Sequence, residues 1–503
     1  MDFYQRIADV LNRRESTTAI EFAGATWDWT QVGAFCRALE ALLREASIPR
    51  DATVGLVAKT SASHAMSLAG MVSERRSVAM VYSMQSDEAL SADIGRLGAA
   101  AVLADESRWT DRLVTAAIEA GSLPVALPAT LDQMPHVVDT RTPKPRTAAP
   151  LASESIHVLS SGTTGTPKRI AIPMNALIRL VEGVTLGNKG KTDSETAIAC
   201  LPLSGIGGLM VVLGSLYKGD SLCILERFDA TAWADAVRRY RIQSTGMVPA
   251  MVRALVDSNI PKDWLASLKI IFGGSGALEP ELQEQFEARF GIPILWGYGA
   301  TEFAGTLATW TPDLRREFGA RKPGSVGRPL PGIQVRIIDE ASGAEASTGT
   351  RGFLTARIPA LGDGWMRTTD IASLDEDGFL FIHGRGDAAI NRGGFKVIPD
   401  IVASALRLHP AVLEAAVIPR KDPRLGEVPV ACVELRDAES ALVTAASLEE
   451  FLRARLPAYA IPVETIFFGR LPRTGSLKVS TGRLKELLQS VPANAGSSPA
   501  GSA

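Results

Sequence analysis

Short apolar segments alternate with stretches of helical periodicity between Thr26 and Gly121. The segment from Trp29 to Ala46 has apolar residues at helical spacing, and residues 52–58, ATVGLVA, form a short apolar run. Alternation of this kind predicts a parallel sheet covered by helices. We therefore expect the chain to begin with an α/β fold.

The remaining sequence changes character twice. Strand-like and helix-like segments continue from residue 220 to 299, whereas residues 324–381 are rich in glycine and short apolar runs, which predicts an antiparallel sheet or small barrel. Residues 124–150 contain six prolines, so we expect an irregular connection there. A polar, glycine-rich segment at 384–394 precedes a second mixed region.

A chain of 503 residues exceeds one ordinary hydrophobic core, so we expect more than one domain. The predicted fold class is α/β, with a large N-terminal domain of helix-covered sheets plus a small barrel at residues 1–386. A small, mobile α+β C-terminal domain would occupy residues 387–490. Residues 491–503, rich in Ala, Ser, Gly and Pro, predict a disordered tail.

Composition excludes several classes of function. A net charge of -2 and a pI near 6.3 give no long-range attraction to nucleic acid or anionic membranes. No run of about 18 apolar residues occurs, and the first residues lack the apolar core of a signal peptide. The four cysteines and five histidines form no metal-ligand pattern, which favours reduced thiols and disfavours a protein-ligated metal site. We expect a cytoplasmic protein.

A polar segment of nine residues, SSGTTGTPK at 160–168, directly follows the apolar run IHVL. Small side chains let backbone N–H groups approach phosphate oxygens, and a lysine adds positive charge. The order differs from the Walker pattern GxxxxGK[ST], and a flexible surface loop is the alternative. The candidate phosphate-binding residues are Ser160, Ser161, Gly162, Thr163, Thr164, Gly165, Thr166 and Lys168.

Four further segments follow in order: YGATE at 298–302, GWMRTTD at 364–370, GRGDAAINRGGFK at 384–396 and PRTGSLK at 472–478. Together with SSGTTGTPK they resemble the signature motifs of the ANL superfamily of adenylate-forming enzymes, which includes acyl-CoA and aryl-CoA synthetases. The resemblance covers roughly residues 20 to 485. It implies an acid–thiol ligase that uses ATP, Mg²⁺ and coenzyme A.

The resemblance also assigns roles around the nucleoside. Tyr298 would stack on adenine, Asp370 would accept both ribose hydroxyls, and Arg385 would support the ribose from the other side. Thr369 stands where the family usually has glycine, so we expect a turn of altered geometry there. A glycine-rich turn resembles the adenine-side turn of the family, with candidate residues Gly274, Ser275 and Gly276.

The catalytic roles follow from the same resemblance. Thr301 would contact the α-phosphate, and Glu302 would help to hold Mg²⁺ as the metal ligand. Lys478 would neutralise charge between the carboxylate and the α-phosphorus. The usual motif has glycine where this chain has Leu477, so Lys485 is the alternative lysine.

The second half-reaction would need a rotation of the C-terminal domain about a hinge. By resemblance the hinge is Asp387, and the rotation would withdraw the lysine and bring a turn at Gly393 and Gly394 to the site as a tunnel for the thiol. A lysine on the carboxylate would block an incoming thiol, and a polar loop residue suits a hinge.

The acid substrate is expected to be a hydrophobic carboxylic acid, with fatty, aryl and polycyclic acids all left open. Amino-acid-activating relatives place an aspartate where this chain has Gly205 or Ile206, and an ammonium without a partner in an apolar pocket is costly. Glycines that serve packing are the alternative reading of these positions. The candidate substrate-binding residues are Gly205, Ile206, Gly207, Gly273, Gly299 and Ala300.

Two other functions stay open at this point. The chain could be a stand-alone adenylation enzyme that loads an acyl or peptidyl carrier protein, or a degenerate member that binds ligands without turnover. The expected partners are a small carboxylic acid and either coenzyme A or a carrier protein. Nucleic acid and membrane insertion are not expected, and a homodimer is left open.

Overall fold

The structure is a computed structural model that describes residues 2–146, 148, 151–152, 154–160, 168–185, 195–436, 443–474 and 477–489. Within these ranges the side chains of residues 160, 168, 183–185 and 489 are not described. The predicted tail at 491–503 lies outside the described residues.

The first part of the chain forms a seven-stranded sheet covered by helices. Its strands stand in the order β7-β6-β5-β3-β4-β8-β9. The strands of this part are β1 Thr18–Phe22, β2 Ala25–Asp28, β3 Val54–Ala58, β4 Val78–Tyr82, β5 Ala101–Asp105, β6 Leu123–Leu127, β7 His136–Val137, β8 Ser155–Ser160 and β9 Lys168–Pro173. The helices are α1 Phe3–Leu11, α2 Trp29–Glu45, α3 Ala62–Ser73, α4 Asp87–Leu97, α5 Asp111–Glu119 and α6 Met174–Thr185.

Local chemistry explains several of these boundaries. Helix α2 begins at Trp29 because Asp28 and Gln31 form a reciprocal capping box. Strand β3 is buried along its whole length, as expected for a central parallel strand. Gly98 ends α4 in the left-handed conformation that glycine adopts without strain. The predicted parallel sheet is confirmed.

A second group of elements builds two further sheets. The elements are β10 Thr196–Ala199, α7 Ile206–Lys218, β11 Ser221–Ile224, α8 Ala230–Tyr240, β12 Ser244–Met247, α9 Pro249–Val256, β13 Ile270–Gly273, α10 Pro280–Phe290, β14 Ile294–Ala300, β15 Gly305–Thr309, α11 Pro312–Phe318 and β16 Arg328–Pro329. Strands β10 and β11 join the first two strands in the order β10-β11-β1-β2. Strands β12 to β16 form the other sheet in chain order.

The glycine-rich segment forms four antiparallel strands, β17 Gln334–Ile338, β18 Gly352–Arg357, β19 Trp365–Leu374 and β20 Leu380–Arg385. Backbone hydrogen bonds between Leu380 and both Val326 and Gly327 connect this sheet to the preceding segment. One apolar core lies under these strands and the sheet of β12–β16, and it contains residues such as Trp296 and Leu354. We call it the second-lobe core.

The last region has a core of its own, which includes Val417, Val433 and Leu452. Its elements are β21 Ile390–Arg392, β22 Phe395–Val397, α12 Pro399–Arg407, β23 Val412–Asp422, β24 Gly426–Leu435, α13 Ala445–Arg453, β25 Glu464–Phe468 and α14 Thr481–Gln489. A mixed α/β chain with a large N-terminal part and a small C-terminal part is the predicted fold class, which is confirmed.

One strand was not predicted, and one local expectation was wrong. Lys168–Pro173 follows the polar segment as β9 and pairs antiparallel with β8 before α6 begins. The proline-rich connection is not irregular at its start, because Pro124 lies in β6. Pro124 lacks an N–H group, but its carbonyl still accepts a hydrogen bond from the N–H of Val138 at 3.0 Å.

Among the described residues, no helix is both long enough and apolar enough to cross a membrane. The four cysteines are free and buried. Burial raises the pKa of Cys36, Cys200 and Cys223 to about 12, so these thiols are uncharged packing residues.

Candidate active site

The β8–β9 hairpin holds both ends of the candidate phosphate loop. Ser160 and Lys168 are paired across the hairpin, and β8 runs parallel to β4 in the first sheet. The loop therefore starts at the carboxyl end of a parallel strand, where ligands bind in open α/β sheets. The predicted residues Ser161, Gly162, Thr163, Thr164, Gly165 and Thr166 lie outside the described residues.

A hydrogen bond joins two of the predicted nucleoside residues across the cleft. The Tyr298 hydroxyl, at the end of β14, donates to the Asp370 carboxylate on β19. Burial raises the pKa of Asp370, although the Tyr298 hydrogen bond and the charge of Arg385 act against it. Burial and the Asp370 carboxylate both raise the pKa of Tyr298, so its hydroxyl stays protonated. A carboxylate has about four lone-pair sites, so Asp370 retains acceptors for a diol.

Arg385 is held in place by three oxygens. It lies opposite Asp370 in the β19–β20 register, and its guanidinium donates to Thr369 Oγ1 at 2.9 Å and to both Asp387 oxygens at 3.0 and 2.7 Å. The expectation that Thr369 lies in a turn was wrong, because it lies inside β19. The Thr369 hydroxyl instead fixes the orientation of Arg385.

Lys478 from the C-terminal region lies in the same cleft. Burial lowers the pKa of Lys478, the neighbouring Arg385 lowers it further, and the Asp370 and Glu302 carboxylates act in the opposite direction. The Lys478 side chain is exposed to solvent at its surface, although enough protein atoms surround it to lower its pKa. The alternative, Lys485, lies on α14.

Thr301 and Glu302 lie in one turn of 3₁₀ helix that directly follows β14. Glu302 is exposed, and its charge acts on both Tyr298 and Lys478. The described residues contain no cluster of three or more His, Cys, Asp or Glu side chains that could hold a metal ion. A single carboxylate is nevertheless a sufficient protein ligand for a Mg²⁺ ion that is shared with phosphates.

The glycine-rich turn at 273–277 is shaped by an indole ring. Gly273 and Trp296 are register partners on β13 and β14, and a Cβ added at Gly273 would lie 1.9 Å from the Trp296 ring. The Trp296 indole N–H donates to the Gly276 carbonyl at 2.9 Å. Gly274 approaches the Gly297 carbonyl closely, and Ser275 adopts a positive φ of 67°. Gly273 is therefore required by packing, and Trp296 is the large side chain that borders the turn.

The remaining pocket candidates divide into two groups. Gly205 is the N-cap of α7 with little crowding around it, and Gly207 faces the Leu201 side chain. The Ile206 side chain packs against the core of the first sheet. A Cβ at Gly299 would lie 2.2 Å from the Gly305 carbonyl oxygen, so close backbone approach requires that glycine, whereas Ala300 packs on the second-lobe core.

The two candidate tunnel glycines form the exposed turn between β21 and β22. Gly393 and Gly394 have φ values of 56° and 91°, which are conformations that side chains rarely adopt. The next residue, Phe395, stacks on Tyr459 with 4.7 Å between ring centroids and a 13° angle. This turn belongs to the same region of the chain as Lys478 but to a different surface loop.

The sequence did not reveal Thr369 and Trp296 as site residues. Thr369 departs from the family pattern, and that departure was the available signal. Trp296 gave no signal, because its contact with Gly273 depends on strand pairing.

Tyr298, Asp370, Glu302, Arg385 and Lys478 thus lie close together. Side chains of these types are what a nucleotide-binding enzyme uses to contact a base, a ribose and phosphates. Comparisons with known proteins agree with this class. The family model described as "AMP-binding enzyme" matches residues 7–366, and the model of the "AMP-binding enzyme C-terminal domain" matches residues 402–478. The chain belongs to the AMP-binding enzyme family, in the ANL superfamily of adenylate-forming enzymes.

Curated relatives are CoA ligases. The chain is 34% identical over 395 residues to the sulfoacetate–CoA ligase of Cupriavidus necator, which covers 75% of this chain and 72% of the relative. It is 30% identical over 348 residues to a 2-succinylbenzoate–CoA ligase of Bacillus cereus, which covers 66% and 70% respectively. The predicted enzyme class, an AMP-forming acyl-CoA ligase, is confirmed, and enzymes of this class use ATP, Mg²⁺ and coenzyme A.

Solved structures support the fold. ATP-bound MatB from Rhodopseudomonas palustris has a TM-score of 0.81 at 23% identity and covers 97% of this chain and 99% of its own. The o-succinylbenzoate CoA synthetase of Bacillus subtilis in complex with its acyl-adenylate intermediate has a TM-score of 0.77 at 22% identity, with 96% and 97% covered.

Proposed function

We propose that this enzyme activates a hydrophobic carboxylic acid with ATP and transfers the acyl group to the thiol of coenzyme A. The observation that carries the proposal is the position of Lys478 in one cleft with Tyr298, Asp370 and Glu302, although the lysine comes from a separate region of the chain. A cation between two anions is what the first half-reaction needs.

In that step a carboxylate oxygen of the acid attacks the α-phosphorus of ATP. The new P–O bond forms an acyl-adenylate, and the bond to the β-phosphate oxygen breaks and releases pyrophosphate. Lys478 contacts both the acid and the α-phosphate and offsets their mutual repulsion. Thr301 contacts the α-phosphate. Bound Mg²⁺ would supply further charge neutralisation, and Glu302 is the residue that would hold it.

The nucleoside contacts follow from the pairing already described. Tyr298 presents its ring to adenine while its hydroxyl fixes Asp370, and Asp370 accepts the ribose hydroxyls. Arg385, fixed by Thr369 and Asp387, lies on the opposite side of the ribose. The phosphates then extend toward the loop that joins β8 to β9, which contains the predicted residues Ser160 to Lys168.

In the second half-reaction a thiolate attacks the acyl carbon, a thioester forms, and AMP leaves with the electron pair of the broken C–O bond. We propose that residues 387–490 rotate about Asp387 between the two steps and present the Gly393–Gly394 turn to the adenylate. The Asp387 carboxylate accepts hydrogen bonds from Arg385 at the end of β20, so Asp387 lies at the junction between the region that would rotate and the region that would not. Residues 1–386 would stay in place.

We propose that the part of the acid that carries the carboxylate group is apolar. Gly205 leaves room at the start of α7, because a Cβ added there would make only an ordinary contact with the Pro202 carbonyl oxygen at 3.7 Å. The relatives named for 2-succinylbenzoate and sulfoacetate make those two acids necessary members of a screen. The cytoplasm is proposed as the location, because the thiols are free and buried.

The test is a panel of acids assayed for pyrophosphate exchange into ATP and then for thioester formation. The panel contains benzoate, octanoate, a bile acid, 2-succinylbenzoate, sulfoacetate and an α-amino acid, each with coenzyme A and with a purified carrier protein as acceptors. The proposal predicts exchange with at least one apolar acid and a thioester with coenzyme A. Transfer only to the carrier protein would support the alternative of a loading enzyme. Absence of exchange with every acid would refute the proposal.

A further inference from the structure

The residue before Lys478 has an unusual backbone. Leu477 adopts φ = 63°, in the left-handed region that side chains with a Cβ avoid. Its N–H donates to the Thr474 carbonyl at 2.9 Å, and the Thr474 N–H donates to the Lys478 carbonyl at 2.7 Å. The loop therefore keeps a strained leucine at a position where glycine would adopt the same conformation without cost.

The side chain of Leu477 explains what maintains this conformation. It is partly buried and packs against the second-lobe core, which consists of residues from the N-terminal part of the chain. The contact thus joins the lysine loop to the part of the protein that carries Tyr298 and Asp370. Glycine at this position would lack it entirely.

A chain of ion pairs holds the same loop through Arg473. Arg473 donates to the Leu477 carbonyl at 3.3 Å and lies 3.5 Å from Glu414. Glu414 also pairs with Arg407 at 3.2 Å, and Arg407 pairs with Glu279 at the start of α10. The side chains of these pairs are largely buried, with between 10% and 20% of their surface exposed. The loop is therefore attached to the N-terminal part by an apolar contact on one side and by ion pairs on the other.

We propose that Leu477 is a positioning residue that holds Lys478 in the adenylation cleft, and that its strained backbone favours release of the lysine before thiol transfer. The inference rests on the proposed function, because it divides one side chain's effect between the two half-reactions. The apolar contact of Leu477 favours the arrangement in which Lys478 lies in the cleft, and the backbone strain at Leu477 opposes that arrangement. Leucine thereby sets how long the lysine stays in the cleft.

Three substitutions separate the contact from the strain. Leu477→Ala removes the contact but keeps a Cβ in the left-handed region, Leu477→Gly removes both, and Leu477→Met restores an apolar chain of similar volume. Leu408→Ala, at an exposed leucine after α12, is the matched control. The assays are pyrophosphate exchange with the best acid of the panel, and single-turnover thioester formation from the isolated acyl-adenylate with coenzyme A.

We expect Leu477→Ala to lower the exchange kcat at least tenfold with little change in the KM for ATP, and to leave thioester formation within twofold of the parent. Leu477→Met should recover exchange to within threefold. Leu477→Gly also lacks the contact but relieves the strain that opposes binding of Lys478 in the cleft, so it should exchange pyrophosphate faster than Leu477→Ala and form the thioester more slowly than Leu477→Ala. The alkaline limb of the exchange rate should move to higher pH in Leu477→Ala, because water reaches the ammonium of Lys478.

Equal loss of both half-reactions in Leu477→Ala, or unchanged exchange, would overturn the inference. Thermal unfolding of every variant is recorded, and a melting temperature within 2 °C of the parent is expected because the contact lies between two separate cores. If the parent enzyme exchanges pyrophosphate with none of the acids, the proposed function is refuted. If the parent and Leu477→Ala exchange pyrophosphate equally well, only the inference about Leu477 is refuted.

Discussion

Replacement of Lys478 by alanine tests the core of the proposed chemistry. The charge of Lys478 is coupled to those of Arg385, Asp370 and Glu302, and the formal charges of these four groups sum to zero. The alanine variant would leave this set with one net negative charge before any phosphate arrives. The entering acid and the α-phosphate, both negative, would then meet an anionic cleft.

The size of the expected rate loss in Lys478→Ala follows from electrostatics. Two unit charges about 4 Å apart interact by about 4 kcal/mol at an effective dielectric constant near 20. Loss of one preorganised charge at a developing negative centre lowers rates by about 10²- to 10³-fold. We therefore expect Lys478→Ala to reduce the kcat of carboxylate-dependent pyrophosphate exchange by roughly this factor, since the lysine acts on the reacting phosphorus. Binding of ATP, measured by calorimetry, should weaken far less.

The matched control is Lys485→Ala, which changes the other lysine near the end of the chain. It should keep exchange within twofold of the parent. Exchange that survives in Lys478→Ala and disappears in Lys485→Ala would show that the lysine was assigned wrongly. Exchange that survives in both would remove the cation from the proposed step altogether.

The pH profile supplies a second readout of the same residue. Burial and Arg385 lower the pKa of Lys478, so its ammonium loses a proton at a lower pH than an exposed lysine does. Exchange should therefore decline as the pH rises through that lowered pKa. Lys478→Arg keeps its charge at every accessible pH, so its residual exchange should lack this decline. An identical alkaline decline in both proteins would assign it to another group.

Three further predictions concern the hinge, the packing and the stability. Asp387→Pro should slow thioester formation at least tenfold more than pyrophosphate exchange, which should weaken only through loss of the carboxylate that holds Arg385, and equal loss of both would argue against a hinge. Gly273→Ala should lower the free energy of unfolding by about 1–3 kcal/mol in urea titrations, because its Cβ would lie 1.9 Å from Trp296, whereas Gly214→Ala, in open space within α7, should raise it by about 0.5–1 kcal/mol. Burial lowers the pKa of His64 to about 4, so the contribution of neutral His64 to stability is complete above pH 6.5 and is lost as the pH falls through about 4. His64→Asn should therefore flatten the curve of unfolding free energy against pH between these values. An unchanged curve would contradict the argument.

The sequence predicted the order of sheets and helices well where periodicity was strong. Helix α2 and strand β3 lie within one or two residues of their expected limits, because capping and continuous apolar runs are local signals. Strand β9 was missed because KRIAIP begins with two basic residues and ends in proline, and its place depends on pairing with β8. Pro124 was expected to begin an irregular segment. It fits in β6 because its carbonyl oxygen can still accept a hydrogen bond from the N–H of Val138.

The candidate site was predictable as a set of residue types but not as an arrangement. The motifs predicted that Tyr298, Asp370 and Arg385 belong to one site. Their mutual contacts, however, arise from strand registers that the sequence does not encode locally. Thr369 was noted as a departure, but its bond to Arg385 required the β19–β20 pairing. Two glycines proposed as pocket walls, Gly273 and Gly299, are instead required by close packing.

The indole of Trp296 occupies the volume that any side chain at residue 273 would need. Attempts to reshape this turn should therefore not start with single replacements of that glycine, because each would collide with the ring. Libraries that vary both positions together, for example a smaller aromatic at 296 with alanine at 273, would explore shapes that stepwise screening never reaches.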